Sequence, residues 1–88
     1  MLPIRLKTAR LRANLTQEKL GVLAGIEEAT ARSRISQYES GIHRPTFEMM
    51  CAFAKVLNVP ECYFYTVDDD FAEIILKLHD GEMVQWVK

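Results

Sequence analysis

The fold is decided by residues 15–45, LTQEKLGVLAGIEEATARSRISQYESGIHRP, which have the pattern of two helices joined by a glycine turn. Thr16 stands before an apolar-periodic run, as a helix N-cap does, and the first helix is predicted to continue to about Ala24. Gly25 can adopt the left-handed backbone conformation that stops a helix. A second helix follows, and it is predicted to end near Glu39.

Apolar residues at helical spacing indicate which sides of these two helices are buried. In the first helix, Leu20 and Leu23 are predicted to lie in the core. In the second helix, Ala31, Ile35 and Tyr38 share one face. That face is therefore predicted to hold the second helix on the rest of the domain.

The opposite side of the second helix is polar, with basic residues at its edges. It is formed by Arg32, Ser33, Arg34, Ser36, Gln37 and Ser40. In a DNA major groove, amides pair with adenine edges, arginines with guanine edges or phosphates, and hydroxyls with either. Many surface helices carry the same residue types without binding anything, so this face alone leaves both interpretations open.

The order of these segments resembles that of the lambda-repressor and Cro-like (XRE-type) helix-turn-helix family of DNA-binding proteins. The resemblance extends over about residues 6 to 64. It is carried by Arg10, the segments LTQEKL and ISQYESG, Gly25-Ile26, Arg44-Pro45, Phe47, Ala54, Leu57 and Val59-Pro60. It implies an all-α fold, a five-helix lambda-repressor-like helix-turn-helix domain, to which this chain adds a C-terminal helix and a short tail.

The resemblance also implies which residues contact DNA. Gln17 matches the family glutamine that contacts the DNA backbone and braces the recognition helix. The loop after that helix touches the sugar-phosphate backbone in family members; here it carries Arg44 and His43, for which an ordinary loop histidine is an equal alternative. The DNA-binding candidates are Thr16, Gln17, Arg32, Ser33, Arg34, Ser36, Gln37, His43 and Arg44. Arg10 and Glu39 are implied to form a structural ion pair.

The chain departs from the family pattern at the start of the second helix. Between Gly25 and Glu39 it has about four residues more than the usual spacing, roughly one helical turn. Glu27 and Glu28 stand where the family usually has a Ser or Thr cap. Carboxylates suit a helix N-terminus but would repel DNA phosphates. We expect the added turn to lengthen either the loop or the helix, with residues 32–37 still reaching the groove.

Further helices are predicted on both sides of this segment. The first begins near Pro3 and runs to about Ala13. After the central pair, Thr46 is predicted to cap a helix that buries Phe47 and the apolar residues following it at helical spacing. Pro60 then introduces a short fifth helix.

The C-terminal segment is predicted to form a sixth helix that takes part in a dimer. Asp68, Asp69 and Asp70 precede an apolar stripe and are best explained as its cap and first turn, not as a cation site. The stripe needs a cover, which we expect the domain and a second subunit to provide. The predicted dimer-interface residues are Tyr63, Phe64, Phe71, Ile74, Ile75 and Leu78.

These predictions divide the chain into two parts. Residues 1–66 are the helix-turn-helix domain, and residues 67–88 are a C-terminal helix and tail that extend the packing or form the dimer. The end of this extension, residues 83–88 with Trp86, is predicted to be a short strand or an ordered tail.

Charge is distributed unevenly along the chain. The net charge is -1, which by itself argues against a polyanionic partner. Residues 1–45, however, carry eight basic against four acidic side chains, whereas residues 46–88 carry three basic against eight acidic ones. Because the local field governs contact with phosphates, the basic half remains suited to DNA.

Several other classes of protein are disfavoured. No Ser-His-Asp, Cys-His, paired-carboxylate or phosphate-loop constellation is present, so we expect no enzyme and no cofactor. Two cysteines outside a CxxC pair indicate reduced structural thiols, and with two histidines they make a metal site improbable. No apolar run reaches membrane-spanning length and none resembles a signal peptide, so we expect no membrane association and a cytoplasmic location.

Two function classes remain. The first is a homodimeric, sequence-specific transcriptional regulator that binds double-stranded DNA at a pseudo-palindromic operator through its recognition helix. The second is a protein-interaction module, or an antitoxin-like partner protein, that keeps the fold but binds another protein through the acidic half.

Overall fold

The computed structural model describes residues 1–81, and these form helices and turns without a β-strand. The helices are α1 (Pro3–Arg12), α2 (Gln17–Leu23), α3 (Glu28–Ser40), α4 (Phe47–Leu57), a 3-10 helix (Glu61–Tyr65) and α5 (Asp69–His79). The all-α expectation, with five helical segments and one additional C-terminal helix, is confirmed. The predicted strand or tail at residues 83–88 lies outside the described residues.

The turn between α2 and α3 forms as the glycine predicts. Thr16 caps α2, and its hydroxyl oxygen accepts a hydrogen bond from the backbone N–H of Lys19 at 3.0 Å. Gly25 has a φ of +99°, which a residue with a side chain adopts only under strain. Ile26 then returns to the core, and its N–H donates to the carbonyl of Gly21 at 2.9 Å. The two helices are therefore locked by both apolar burial and backbone hydrogen bonds.

The residues that this chain adds between Gly25 and Glu39 lengthen α3 and not the loop before it. Helix α3 has 13 residues and begins at Glu28, two residues after Ile26. Glu27 occupies the N-cap position but makes no side-chain capping bond. Ala31, in the added turn, is fully buried, so the turn is packed against the domain from its start.

Seven large side chains fill the interior of the domain. They are Leu6, Leu20, Ile35, Met50, Phe53, Tyr63 and Phe64. Every helical segment except α5 contributes at least one of them, and α5 adds Ala72 and Leu76 to the same core. The C-terminal helix therefore packs on the helix-turn-helix domain through small and medium apolar side chains.

Arg5 connects the start of α1 to the segment leading into α5. Its side chain is almost fully buried, and its guanidinium donates hydrogen bonds to the carbonyl oxygens of Thr66 at 2.9 Å and Val67 at 3.0 Å, and to Asp69 at 2.8 Å. The same guanidinium lies 5.8 Å from the centroid of the Tyr63 ring. Burial raises the pKa of the Tyr63 phenol, and Arg5 opposes that rise. The phenol is thus kept neutral beside the cation.

Helix α5 begins as its acidic start predicts but buries a different side from the expected one. The carboxylate of Asp68 accepts a hydrogen bond from the N–H of Phe71 at 2.8 Å and caps the helix. The core-facing residues are Ala72 and Leu76. The predicted stripe points largely away from the core: Phe71, Ile74 and Leu78 are 54%, 40% and 45% exposed, and Ile75 is half-buried at its edge.

Two predictions of burial are wrong, and one is only half right. Leu23 is 50% exposed because the buried side of α2 runs through Gly21, which leaves Leu23 on another side of the helix. Phe47 is 68% exposed because it is the first residue of α4, beside the exposed loop after α3. Tyr63 and Phe64 close the core as expected, but their complete burial leaves no side-chain surface for a second subunit.

None of the helices within residues 1–81 combines the length and the apolar character that a membrane crossing requires.

The close approach of α2 to α3 gives a test of this packing. A methyl group added at Gly21 would lie 2.7 Å from the Cβ of Ala31. We therefore expect Gly21→Ala to lower the free energy of unfolding in urea by about 1–3 kcal/mol, despite the better helix propensity of alanine.

The matched control combines this change with Ala31→Gly, which restores the space. The double variant should lose less stability than the two single variants together. A Gly21→Ala variant as stable as the wild type would contradict the described contact.

Candidate nucleic-acid interface

The polar side of α3 faces solvent. Ala31, Ile35 and Tyr38 attach the helix to the core, as predicted. Arg32, Ser33, Arg34, Ser36 and Ser40 are exposed, and Gln37 is partly exposed. We call the exposed strip formed by Ser33, Ser36 and Ser40 the serine face. It offers hydroxyl groups along about two turns of a helix that is fixed from behind.

Arg32 lies on the side of the serine face that is directed towards α1 and α2. There it borders an open cleft whose other lining residues are Lys7, Arg10, Thr16, Gln17, Glu18 and Glu39. The structure thus brings together Thr16, Gln17 and Arg32, three of the sequence-predicted contact residues. It adds Lys7, which is exposed on α1 and which no sequence pattern had marked as a contact residue.

Arg34 lies on the opposite side of the serine face. It borders a second cleft, between α3 and the start of α4, with Gln37, Tyr38, His43, Arg44, Thr46 and Met49. Four predicted contact residues therefore meet on this side. The two arginines bracket the serine face as the helical pattern predicts, each above a separate cleft.

The loop after α3 is held by the end of the helix. Gly41 has a φ of +80°, and the backbone N–H groups of Ile42 and His43 both donate to the carbonyl oxygen of Gln37, at 3.0 and 3.3 Å. His43 and Arg44 are exposed on this loop. Their side chains consequently start from a fixed backbone beside the serine face.

The ion pair expected between Arg10 and Glu39 is present and nearly buried. The guanidinium donates to the two carboxylate oxygens at 2.6 and 3.2 Å, and only 10% and 5% of the two side chains are exposed. A third guanidinium N–H donates to the carbonyl oxygen of Leu15 at 2.9 Å. The side-chain amide of Gln17 donates to the same carboxylate at 3.2 Å. The end of α3 is thereby tied to α1 and to the start of α2.

Gln17 and Thr16 each retain a donor for a further partner. One amide hydrogen of Gln17 is used by Glu39, and the amide has a second. The hydroxyl of Thr16 accepts a bond from the backbone, which leaves its own hydrogen free to donate. Both groups border the cleft beneath Arg32. This arrangement can bind a negatively charged oxygen such as that of a phosphate.

Other chemistry has little to build on in the described part of the chain. Residues 1–81 contain no group of three or more His, Cys, Asp or Glu side chains placed to hold a metal ion. Cys51 is half-buried and Cys62 exposed, and both are free thiols. The predicted dimer-interface residues lie on α5 and in the core, apart from the two clefts.

Comparisons with known proteins agree with this geometry. The profile of the family described as Helix-turn-helix matches residues 6–64. A solved structure described as the crystal structure of transcriptional regulator BswR superposes with a TM-score of 0.89 at 39% sequence identity, covering 99% of this chain and 92% of that one. A search of curated protein sequences gave no match.

The chain therefore belongs to the helix-turn-helix family of the lambda-repressor (XRE) type. Together, the family and the structural neighbour support a DNA-binding transcriptional regulator and not an enzyme. The residues that carried the sequence resemblance all lie within the matched range.

The buried ion pair gives a second test. Arg10→Met leaves the Glu39 carboxylate nearly buried without its cation, and we expect the free energy of unfolding to fall by about 3–5 kcal/mol. The control is Arg12→Met, which removes the more exposed pair with Asp80 and should cost less than about 1 kcal/mol.

Urea titrations followed by circular dichroism measure both variants. Should Arg10→Met prove so unstable that it unfolds in buffer, Glu39→Gln, which keeps an oxygen acceptor for Arg10, is expected to fold with a smaller loss. Equal effects of the Arg10 and Arg12 substitutions would show that burial adds nothing to the first pair.

Proposed function

We propose that this protein is a transcriptional regulator that recognises a specific double-stranded DNA sequence by placing α3 in the major groove. The observation that carries the proposal is the outward serine face, bracketed by Arg32 and Arg34 and fixed from behind by the core. An α-helix with its side chains is about 10–12 Å wide, and the major groove is about 12 Å wide. A face of hydroxyls, an amide and guanidiniums fits the donors and acceptors found there.

The two clefts suggest which residues contact the bases and which contact the phosphates. Gln37 and Arg34, next to the serine face, are placed to read base edges, because an amide pairs with adenine and a guanidinium with guanine. Thr16, Gln17 and Arg32 on one side, and His43 and Arg44 on the other, are placed to hold the two phosphate backbones. Contacts of the second kind position the protein without reading sequence.

A homodimer is the second part of the proposal. Phe71, Ile74 and Leu78 form an exposed apolar stripe on α5, on the side away from Ala72 and Leu76. A second copy of the chain can cover the stripe with the same stripe, as a two-fold interface requires. Two copies would place their α3 helices in successive major grooves, about 34 Å apart, on a pseudo-palindromic site.

The alternative, a protein-interaction module, draws on the same stripe and on the acidic residues around the start of α5. Salt dependence separates the two. Contacts with several phosphates make the logarithm of affinity fall steeply with the logarithm of salt concentration, whereas apolar contact with a protein does not.

The DNA proposal is tested by selecting bound sequences from a random pool and then measuring affinities for the selected site and for random DNA. We expect Gln37→Ala to weaken binding to the selected site by about 1–3 kcal/mol and to relax the preference at one base pair. Arg44→Ala should weaken binding to both DNAs alike and reduce the salt slope by about 1.

Arg12→Ala is the matched control, because Arg12 pairs with Asp80 at the far end of α1 and borders neither cleft. It should leave both affinities unchanged. If Gln37→Ala lowered affinity for random DNA as much as for the selected site, α3 would not be the reading element.

The dimer is tested by placing a charge in the stripe. Sedimentation should show the wild type as a dimer and Ile74→Glu as a monomer, because dimerisation would bury the new carboxylate without a partner. Affinity for a two-half-site DNA should fall by at least about tenfold, since the second subunit no longer binds cooperatively.

Leu23→Glu provides the control, because Leu23 is at least as exposed as Ile74 but lies on α2. This variant should remain a dimer. A wild-type protein that stays monomeric at concentrations well above its dissociation constant for DNA would contradict the proposed dimer.

A further inference from the structure

Tyr38 is packed in the core and also borders a cleft. Its ring packs edge-on against Phe53, with centroids 5.9 Å apart and an interplanar angle of 63°. The residue is buried, yet it also borders the cleft between α3 and the start of α4. The packing of the ring on Phe53 therefore fixes the position of the phenol oxygen.

That oxygen holds the guanidinium of Arg34. The Nη2 atom of Arg34 donates a hydrogen bond to the Tyr38 hydroxyl at 2.7 Å, and the central carbon of the guanidinium lies 5.8 Å from the centroid of the ring. The two residues are four apart on one helix, which places them on neighbouring turns of the same side. Arg34 is exposed, but the hydrogen bond to Tyr38 holds its guanidinium group in place.

The corresponding arginine on the other side of the serine face differs. Within residues 1–81, the side chain of Arg32 makes neither a hydrogen bond nor an ion pair, and no aromatic ring of these residues lies under it as Tyr38 lies under Arg34. A mobile cation is sufficient to follow a phosphate. A bidentate contact with a base needs the planar donor group in one orientation.

We propose that Tyr38 is a positioning residue for sequence recognition, which sets the orientation of Arg34 before DNA binds. This inference rests on the proposed function. Nη2 uses one of the five guanidinium N–H groups on Tyr38, and the remaining four suffice for a bidentate contact with the O6 and N7 atoms of a guanine. Because the side chain is already ordered, less conformational entropy is lost when DNA binds.

A single substitution separates the effect of the Tyr38 hydroxyl from that of the Arg34 charge. Tyr38→Phe keeps the ring and its packing on Phe53 but removes the acceptor. Arg34 retains its positive charge and can still attract a phosphate. The variant should therefore lose sequence preference while its affinity for random DNA and its salt dependence stay the same, whereas a general loss of structure would weaken all binding.

The experiment measures binding of the wild type, Tyr38→Phe, Arg34→Ala and the double variant to the selected site and to random DNA. We expect Tyr38→Phe to lower affinity for the selected site by about 3- to 10-fold, the cost of ordering one long side chain, and to change affinity for random DNA by less than twofold. In the Arg34→Ala background, the same substitution should have no further effect, because the hydroxyl acts through Arg34.

Tyr65→Phe is the matched control, since Tyr65 is exposed on the 3-10 helix outside both clefts. Unchanged affinity of Tyr38→Phe for the selected site would overturn the inference and leave the proposed function standing. An undiminished loss in the Arg34→Ala background would also overturn it, because the hydroxyl would then act on DNA directly. A wild type without any sequence preference would overturn both.

Discussion

The position of the candidate reading helix depends on one nearly buried ion pair. Arg10 and Glu39 are linked by two hydrogen bonds, and the pair also engages the amide of Gln17 and the carbonyl of Leu15. Removing two charges from water is costly, so such a pair adds little net stability compared with apolar packing. A bidentate guanidinium–carboxylate contact does, however, fix distance and plane together. Its effect here is to set the end of α3 relative to α1 and to the start of α2, which a helix that reads base edges requires.

Helix α1 is the element that connects the two proposed interfaces. Arg10 links it to α3, whereas Arg5 and Arg12 link it to the two ends of α5. The contacts of Arg5 are the more constraining, because its buried guanidinium also binds two backbone carbonyls of the segment that leads into α5. The spacing between the serine face and the α5 stripe is consequently set through a single rigid helix. In a dimer, that spacing would determine the distance between the two half-sites.

Sequence periodicity predicted the elements and most of their faces, since caps such as Thr16 and Asp68 and the apolar face of α3 are local properties of the chain. It could not predict what covers each face. On α5 it found the larger apolar residues, but the side that faces the core carries Ala72 and Leu76, because tertiary packing and not helical spacing decides which side is covered. The link between Arg10 and Glu39, 29 residues apart, came from family resemblance alone, because no local rule pairs residues at that separation.

The ion pairs also explain how a chain with a net charge of -1 can present a basic surface. Among residues 1–81, the arginines that lie away from the serine face are paired with acids: Arg5 and Arg12 with two aspartates of the C-terminal segment. Of the basic side chains beside the clefts, Arg10 is paired with Glu39, whereas Lys7, Arg32 and Arg44 form no ion pair within these residues. The remaining acidic residues of α5 lie on a different helix from the serine face. They therefore lower the net charge of the protein more than they lower the positive potential at α3. Polyanion and protein would then attract in one orientation and repel in others, and electrostatics would align the serine face with DNA before any base is read.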